Sequence, residues 1–437
     1  MDFRNAISTA LGLQDVDITD IKFFKKDLRA VVHCRQRRGE GSRCHRCGST
    51  LGNLHDWYTK TTTAPPFGVF QRVKVLLKCF RARCEKCAKN VLAYCPFVHP
   101  KHRSMTCGFA EIAGRLMEEL TCRGVGRWFD KSPMQMLRLD QSRMKYMLQF
   151  LKIPDAGWSA LSADEVHHRT VRLKRKNYFA KRWEAQFITN LVCPEEGKVL
   201  FNAVGRTKRS LEDCFTVLSP GQKMAVEWLA CDVHEPFMAA TKKHLPNARI
   251  CVDRFHLAQL LNKAFDIVRK QEFKKAESQF EKNMLLPTRR FVMVSREVKT
   301  PKEMKMLAKL RAINEPIHNA MLVVENFHAV LECKTIPGFR KAIVDWYQLI
   351  REAKLTPLRR FAKTIRRYRL EIENYIQSRL TTAVSEGINN KIKALKRAGG
   401  GYKTPTYFRN KILQRCGYLN HLSIPTDHLL FEVPNPK

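Results

Sequence analysis

The residues best placed to do chemistry are two aspartates in apolar runs that are typical of buried strands. Asp164 lies inside the run SALSADEV, and Asp232 ends the run MAVEWLACD. Sites in an α/β sheet gather at strand ends near a topological switch point, so both carboxylates are expected to converge there. Carboxylate oxygens suit Mg²⁺ or Mn²⁺. Two such ions activate a hydroxyl and stabilise the leaving oxygen in phosphodiester cleavage or transfer.

A third carboxylate for this site is predicted at Glu386, in the segment TTAVSEGINNKIKALKRAGGGYKTP. If this segment is a helix, its periodicity places an acid, a polar residue and two basic residues on one face, namely Glu386, Asn390, Lys393 and Arg397. The opposite face is apolar, with Ile388, Ile392 and Leu395. We expect the apolar face to dock on the sheet, Glu386 to face the metal site, and the basic residues to reach nucleic-acid phosphates. The alternative is that Ser385 caps an ordinary amphipathic helix, and Glu386 only complements its dipole.

An accessory role is predicted for Asp253, which ends the run ARICVD, and for His256 three residues later. The first turn of a helix would bring both toward the same end of the sheet, where they would tune the acids, orient DNA or bind metal. The alternative is a structural Asp N-cap with a packed histidine. Asp253 ranks below Asp232 as the second acid, although either satisfies the pattern. Glu165 is expected to point away from the side that Asp164 faces, because adjacent strand residues alternate.

A zinc site is predicted from two CxxC pairs, which are Cys44 with Cys47 and Cys84 with Cys87. Two such pairs place four thiolates tetrahedrally around Zn²⁺, and the metal stabilises a module too small to rely on its core. The stretch FGVFQRVKVLLKCFRAR between them alternates as a strand does. Free buried cysteines are the alternative, and the other cysteines that come into question as ligands are Cys34, Cys79 and Cys95.

The charge of the chain points to an anionic polymer as partner. Its 437 residues include 79 Lys and Arg against 41 Asp and Glu, for a net charge of +38. Nucleic acid is favoured over a membrane surface, because no apolar run approaches the roughly 20 residues that span a bilayer. The start MDFRNAISTALGLQDVD has acids where a signal peptide has basic residues. We therefore expect a cytoplasmic, nucleoid-associated protein with reduced cysteines.

The pattern of elements divides the chain into parts that would position these residues. Residues 1–100 are predicted to form the zinc module, and 101–155 a helix-turn-helix, although an ordinary helical connector fits that stretch too. Three strands in meander followed by alternating helix and strand predict an α/β domain of ribonuclease-H-like order over 156–256 and 381–437. The intervening stretch, 257–380, reads as a basic helical insertion.

Several quoted motifs together carry a family resemblance. The order CHRCGS, CEKC, DEVHHR, CDVHEPFMAATKKHLPNARICVDRFHLAQLLNKAFDIVR and SEGINNKIKALKRAGGGY resembles insertion-sequence DDE transposases of the ISL3 family. The resemblance implies a zinc-binding segment, a helix-turn-helix and a ribonuclease-H-like domain with a helical insertion. It also implies an Asp-Asp-Glu triad at Asp164, Asp232 and Glu386. The Asp253 and His256 pair resembles an accessory motif of Mutator-type enzymes.

Two departures from the family pattern concern the substrate more than the chemistry. Val233 and His234 stand where relatives more often carry Met and Trp or Ser, and a longer basic segment, TVRLKRKNYFAKRW, follows the HHR motif. The acids themselves are present.

Three functions remain open at this point. The leading hypothesis is a transposase that binds the terminal inverted repeats of its element, cleaves DNA and transfers the end to target DNA. A homo-oligomer would then be expected in a synaptic complex. The alternatives are a structure-specific nuclease of the same fold and a zinc-dependent DNA-binding regulator, in which the three acids would be dispensable. Net charge does not separate them, because all three bind DNA.

Overall fold

The protein is described by a computed structural model that covers residues 3–38, 42–154, 157–173, 182–285, 304–305, 308–309, 312–380 and 383–420. Parts of several predicted features lie outside these ranges, among them residues 174–181 of the basic segment after the HHR motif, 286–303 of the predicted insertion and 421–437 of the predicted sheet domain. The chain forms two compact units. Unit 1 comprises the described residues up to Lys152 and from Lys396 onward, and unit 2 those from Ile153 to Leu395.

Unit 1 begins with helix α1 (Phe3–Ala10) and a five-stranded sheet. Its strands are β1 (Val16–Phe24), β2 (Arg29–Gln36), β3 (Leu54–Ala64), β4 (Arg72–Cys84) and β5 (Lys89–Leu92). The order is β1-β2-β4-β3, and β5 pairs with the end of β4. Only β2 and β4 run parallel among these pairs. Strand β4 alternates as predicted, with Val73 and Val75 buried against the core and Arg72 and Lys74 exposed.

Three short helices follow in unit 1, as the sequence predicts. They are α2 (Cys107–Glu119), α3 (Cys122–Trp128) and α4 (Pro133–Met147). Each begins after a hydroxyl residue whose side chain accepts a backbone N–H of the first turn, namely Thr106, Thr121 and Ser132. Such caps satisfy donors that would otherwise lack partners and fix where each helix starts. The three helices share a core formed by Phe109, Met117, Val125 and Leu139.

Unit 2 is built on a mixed five-stranded sheet, as expected for an α/β domain. Its strands are β6 (Ala160–Leu173), β7 (Arg182–Cys193), β8 (Lys198–Val204), β9 (Trp228–Cys231) and β10 (Arg249–Val252). The order is β10-β9-β6-β7-β8. Strands β6, β7 and β8 form an antiparallel meander, which confirms the predicted three strands in meander. Strands β9 and β10 run parallel to β6, so β6 lies at the centre.

Helices flank this sheet and also occupy the described part of the stretch predicted as a helical insertion. The first three are α5 (Lys208–Phe215), α6 (Pro220–Ala225) and α7 (Glu235–His244). The described helices from Arg254 to Ser378 include α8 (Arg254–Lys275), α9 (Gln279–Leu285), α10 (Glu315–Glu332), α11 (Ile336–Ala353), α12 (Thr356–Arg367) and α13 (Arg369–Ser378). Helix α8 begins before the predicted boundary at residue 257, because its N-cap, Asp253, directly follows β10. Helix α14 (Ala383–Ala398) is followed by Gly400 and Gly401, both with positive φ.

The last described helix, α15 (Pro405–Cys416), packs within unit 1, whereas the predicted division placed 381–437 with the sheet domain. Its buried Lys411 Nζ donates to the Met117 carbonyl at 2.6 Å and to Asp140 Oδ2 at 3.2 Å. Tyr407 also donates its hydroxyl to Asp140 Oδ2, at 2.7 Å. Asp140 is fully buried. This network holds α15 against α2 and α4.

Across the part of the chain that the structure describes, no helix combines the length and apolarity required to cross a bilayer.

Candidate active site

Two aspartates come together on neighbouring parallel strands, where β9 ends beside the interior of β6. The pairing of β6 with β9 matches Ala163 with Cys231, and each of these residues is followed by an aspartate. Asp164 and Asp232 therefore leave the paired segment side by side. The sequence predicted this convergence, because strand ends near a switch point of an α/β sheet are where sites form.

A histidine from helix α8 completes a three-residue cluster. Asp253 caps α8 by accepting the Phe255 N–H at 3.2 Å, which fixes the first turn next to the strand ends. His256 Nε2 then lies 2.5 Å from Asp232 Oδ1 and 3.8 Å from Asp253 Oδ2. One ligand atom from each of Asp164, Asp232 and His256 lies within 4.8 Å of the others. Asp253 caps the helix, and His256 offers a ligand atom to the cluster; the accessory role of the pair stays a prediction.

The electrostatics of the cluster favour a bound cation. Burial, and next the nearby charge of Asp232, raise the pKa of Asp164 to about 6. Burial opposes protonation of His256, but its hydrogen bond to Asp232 and the surrounding carboxylates outweigh this effect and raise its pKa. Two carboxylates with little solvent and one counter-charge fit a divalent metal ion, which would neutralise both.

Glu165, next to Asp164 in β6, has a different partner. Its Oε1 lies 2.7 Å from Arg206 Nε. Burial nevertheless raises the pKa of Glu165 to about 7, with Arg206 opposing that shift. Glu165 is outside the cluster that offers ligands, as the alternation of the strand predicted.

Helix α14 approaches the site through Ser385 and Asn389, two polar residues that were not among the predicted site residues. Ser385 is buried and donates its hydroxyl to Ser162 Oγ at 2.8 Å. Asn389, one turn later and 8% exposed, donates its amide to Asp164 Oδ2. Asn389 therefore orients Asp164. One feature of the sequence could have indicated these contacts. Ser385 and Asn389 are polar residues four positions apart on the helix side that carries the apolar Ile388 and Ile392.

Glu386 lies in the first turn of α14 and is exposed, outside the cluster of Asp164, Asp232 and His256. The apolar side of the helix docks as predicted, since Ile388 and Ile392 are buried. The alternative in which Ser385 caps the helix is wrong, because Ser385 lies inside α14 and contacts Ser162.

The three residues predicted to contact DNA from α14 are all exposed. They are Asn390, Lys393 and Arg397, and Lys393 Nζ donates to Asn390 Oδ1 at 3.5 Å. Their positions leave them accessible to a phosphate backbone.

The predicted cysteine ligands form a second cluster, in unit 1. The sulfurs of Cys44, Cys47, Cys84 and Cys87 lie within 4.8 Å of one another. Cys44 Sγ is 3.9 Å from Cys87 Sγ, and Cys47 Sγ is 3.5 Å from Cys84 Sγ. Sulfurs placed tetrahedrally at zinc–sulfur bond length are about 3.8 Å apart. The four thiols therefore fit zinc in both type and spacing.

The other cysteines of the module and the protonation of the cluster support the same ligand set. Cys34, Cys79 and Cys95 belong to the apolar core of the sheet and are not in the cluster. A hydrogen bond with Ser49 lowers the pKa of Cys47 to about 6, while hydrogen bonding with Cys47 raises the pKa of Cys87 to about 12. Four adjacent thiolates require a cation, which would hold all of them deprotonated.

Comparisons with known proteins converge on one class. Residues 178–412 match the family model DDE_Tnp_ISL3, described as transposase. The transposase for insertion sequence element IS1001 of Bordetella parapertussis is 23% identical over 376 residues, covering 84% of this chain and 87% of that protein. The transposase for IS1557 of Mycobacterium tuberculosis strain CDC 1551 / Oshkosh is 20% identical over 242 residues, covering 50% and 54%.

Among solved structures, the chain matches the Drosophila P element transposase strand transfer complex. The match has 11% identity and covers 74% of this chain and 93% of that chain. Its TM-score of 0.39 is too low to establish a shared fold.

Proposed function

Because the chain belongs to the ISL3 family of DDE transposases, we propose that it binds the inverted-repeat ends of its insertion sequence, cleaves DNA there and joins the freed 3′ hydroxyl to target DNA. The observation that carries this proposal is the convergence of Asp164, inside β6, with Asp232, which directly follows β9. The excess of basic residues suits a DNA substrate.

The strand order supports a ribonuclease-H-like interpretation of unit 2. An antiparallel meander of β6, β7 and β8 followed by parallel β9 and β10, with β6 central, is the order expected from the family resemblance. In this interpretation Asp164 is the acid of the first strand and Asp232 that of the fourth.

Asp164, Asp232 and Glu386 are the residues proposed to hold Mg²⁺ or Mn²⁺. A divalent cation bound at such acids would neutralise charge on the scissile phosphate and activate the attacking hydroxyl. The protein's own contribution is orientation. Asn389 fixes one oxygen of Asp164, and His256 fixes one oxygen of Asp232. Partners of this kind keep ligands in place between turnovers.

Recognition of the ends is assigned to unit 1. Helices α3 and α4, with the short turn between them, suit a helix-turn-helix, and α4 has an exposed N-terminal side that carries Gln135 and Arg138. The N-terminal part of a recognition helix is the part that reaches base edges. Zinc on the four cysteines would stabilise the adjoining module, and two copies of the protein would pair the two ends in a synaptic complex.

The test is divalent-metal-dependent cleavage of DNA that carries the element's ends. We compare the wild type with Asp232→Asn and Glu386→Gln, and use Glu315→Gln as the matched control. Glu315 is, like Glu386, an exposed first-turn glutamate. We expect both site variants to bind the ends and to lose cleavage by about a thousandfold or more, because several kcal/mol of charge stabilisation disappear. The control should cleave normally.

Two outcomes would contradict the proposal. If the wild type binds the ends and does not cut them under any divalent metal, the protein is a DNA-binding regulator. If it cuts branched or random DNA as well as the ends, it is a nuclease of the same fold.

A further inference from the structure

The sheet of unit 1 has one face on the apolar core and one face that is exposed and basic. The exposed face carries cations from β2 and β4 and hydroxyls from β3. We call these residues the basic face: Arg29, Arg35, Arg72, Lys74, Lys78, Thr59 and Thr61. Their side chains lie on one side because residues two apart in a strand point the same way. Neither the predicted zinc site nor the predicted helix-turn-helix uses them.

Like charges face each other across this surface. The parallel register of β2 with β4 places Arg29 beside Arg72 and Arg35 beside Lys78. Such pairs destabilise a sheet, so they are costly unless an anion lies over them. Within the described ranges, no ion pair with an acid neutralises any cation of the basic face. The nearby acids, on edge strand β1, pair elsewhere: Asp17 with Arg37 and Asp20 with Lys22.

Aromatic rings hold several of these cations in place without cancelling their charge. The Arg29 guanidinium lies 4.2 Å from the centroid of Phe24, and its buried Nε has no hydrogen-bond partner among the described residues. Arg35 and Lys78 lie 4.5 and 6.0 Å from the Trp57 centroid. Cation–π contacts restrict the side chains while leaving donors available. The surface is therefore ordered before any ligand binds.

The basic face continues toward the start of α4. Lys131, in the turn that precedes this helix, has its pKa lowered by burial and next by the charge of Lys74. The two ammonium groups are thus close enough to repel each other. One polyanion lying on the basic face would also pass near the N-terminus of α4.

We propose that the basic face binds the phosphate backbone of duplex DNA and so sets the orientation of unit 1 on the helix. Residues on one side of a strand repeat about every 6.6 Å, so Arg72 and Lys74 are neighbours on this face and Lys78 lies two repeats further along β4. The threonine hydroxyls add uncharged donors. Duplex DNA presents one negative charge per about 1.7 Å of its axis, which suits such an array. This proposal goes beyond the proposed function because it assigns DNA binding to this surface. It rests on the proposed function only in taking DNA as the polyanion.

The test measures binding of the full, zinc-loaded chain to a random-sequence duplex of about 30 base pairs at a series of salt concentrations. The variants are Arg72→Gln with Lys74→Gln, and Arg35→Gln with Lys78→Gln. The control, Lys25→Gln with Lys26→Gln, removes the same charge from the exposed turn between β1 and β2. We expect each face variant to lower the slope of log K against log salt by about 1.8, from about 0.9 per lost phosphate contact. The control should keep the wild-type slope.

A second duplex that carries the element's ends separates phosphate contacts from base reading. Both face variants should lose the same factor of affinity for the ends and for the random duplex, because phosphates carry no sequence information. The proposal is overturned if the slopes do not change, if the control falls as far as the face variants, or if the loss is confined to the ends. Absence of any DNA binding by the wild type would overturn the proposed function as well.

Discussion

The two candidate metal sites differ in how their ligands are distributed along the chain. The four cysteines of unit 1 come from two short segments at the ends of one sheet. The cluster of unit 2 gathers Asp164 from β6, Asp232 from the end of β9 and His256 from α8, and α14 contributes Asn389. The four sulfurs of the first cluster would fill all the coordination positions of a tetrahedral metal ion, whereas the second cluster offers few protein ligands.

Under the proposed function, this contrast corresponds to a structural role for the cysteines and a catalytic role for the acids. A tetrahedral all-sulfur set leaves no position for a substrate and contributes its binding energy to folding. A site with two carboxylates leaves positions for water and phosphate, and its ligands are held by neighbours such as Asn389 and His256. Metal loss should therefore unfold part of unit 1 and should leave the fold of unit 2 unchanged.

Removal of zinc is the strongest way to break this comparison. Zinc bound to four cysteines contributes about 10–16 kcal/mol to folding in small modules. We expect a chelator to abolish amide protection in β3, β4 and β5, as hydrogen exchange would measure, while the strands of unit 2 stay protected. Full protection of all strands in protein shown to be free of zinc would contradict a structural role for the cysteines.

The next largest effect is predicted for Lys411→Met. This change leaves the fully buried Asp140 with its Tyr407 hydrogen bond and without its cation. An uncompensated buried charge costs about 3–5 kcal/mol, which urea unfolding of unit 1 would detect. The double variant with Asp140→Asn should recover much of this loss. Stability unchanged in Lys411→Met would show that the pair does not hold α15.

A moderate effect is predicted for Asn389→Ala, which removes the hydrogen bond that orients Asp164. Loss of a partner that orients a metal ligand typically lowers activity about 10–100-fold. We expect the catalytic rate to fall while DNA affinity stays at the wild-type value. The neighbouring Asn390→Ala should do the opposite, since Asn390 is exposed. A binding defect with an unchanged rate in Asn389→Ala would contradict this assignment.

The smallest effect concerns His99, in the segment between β5 and α2. Burial lowers the pKa of His99 to about 4, and its Nδ1 accepts the N–H groups of Lys101 and His102. Because the folded pKa lies below the usual 6.5, this contribution to stability is complete above pH 6.5 and is lost as pH falls toward 4.

His99→Asn tests this pH dependence, because its carbonyl oxygen can accept the same N–H groups and does not titrate. We expect the difference in melting temperature between pH 7 and pH 5 to be smaller than in the wild type by about 2–4 °C, for an effect on the order of 1 kcal/mol. An equal difference in both proteins would exclude His99 as the source.

The two sites also differ in how far the sequence could predict them. The spacing of Cys44, Cys47, Cys84 and Cys87 carries its own geometry, and the structure brings all four together. Asp164 and Asp232 could be predicted because apolar runs mark buried strands and their ends. Asn389 could not, since its contact with Asp164 depends on which edge of α14 meets the sheet. Periodicity shows which face of a helix is apolar. It does not fix the rotation of the helix about its axis to better than one residue position, and so it does not show which residue at the edge of that face contacts the sheet.

The position of α15 was also beyond sequence patterns. Nothing local to Lys411 indicates that its ammonium group lies beside Asp140, because that contact depends on the path of the whole intervening chain. Amphipathic helices can dock on any apolar surface, and tertiary packing decides which one. The role of Glu386 remains a prediction.

The return of the chain to unit 1 after unit 2 has a consequence for synthesis. Asp140 emerges from the ribosome long before Lys411 and Tyr407, which satisfy it. At about 5–20 residues per second, the delay is on the order of 10–50 s. Unit 1 is therefore begun first and completed last, and a nascent or prematurely terminated product keeps an unpaired carboxylate among its helices. Only a chain translated through α15 can acquire the complete unit, so the order of the segments itself discriminates against truncated copies.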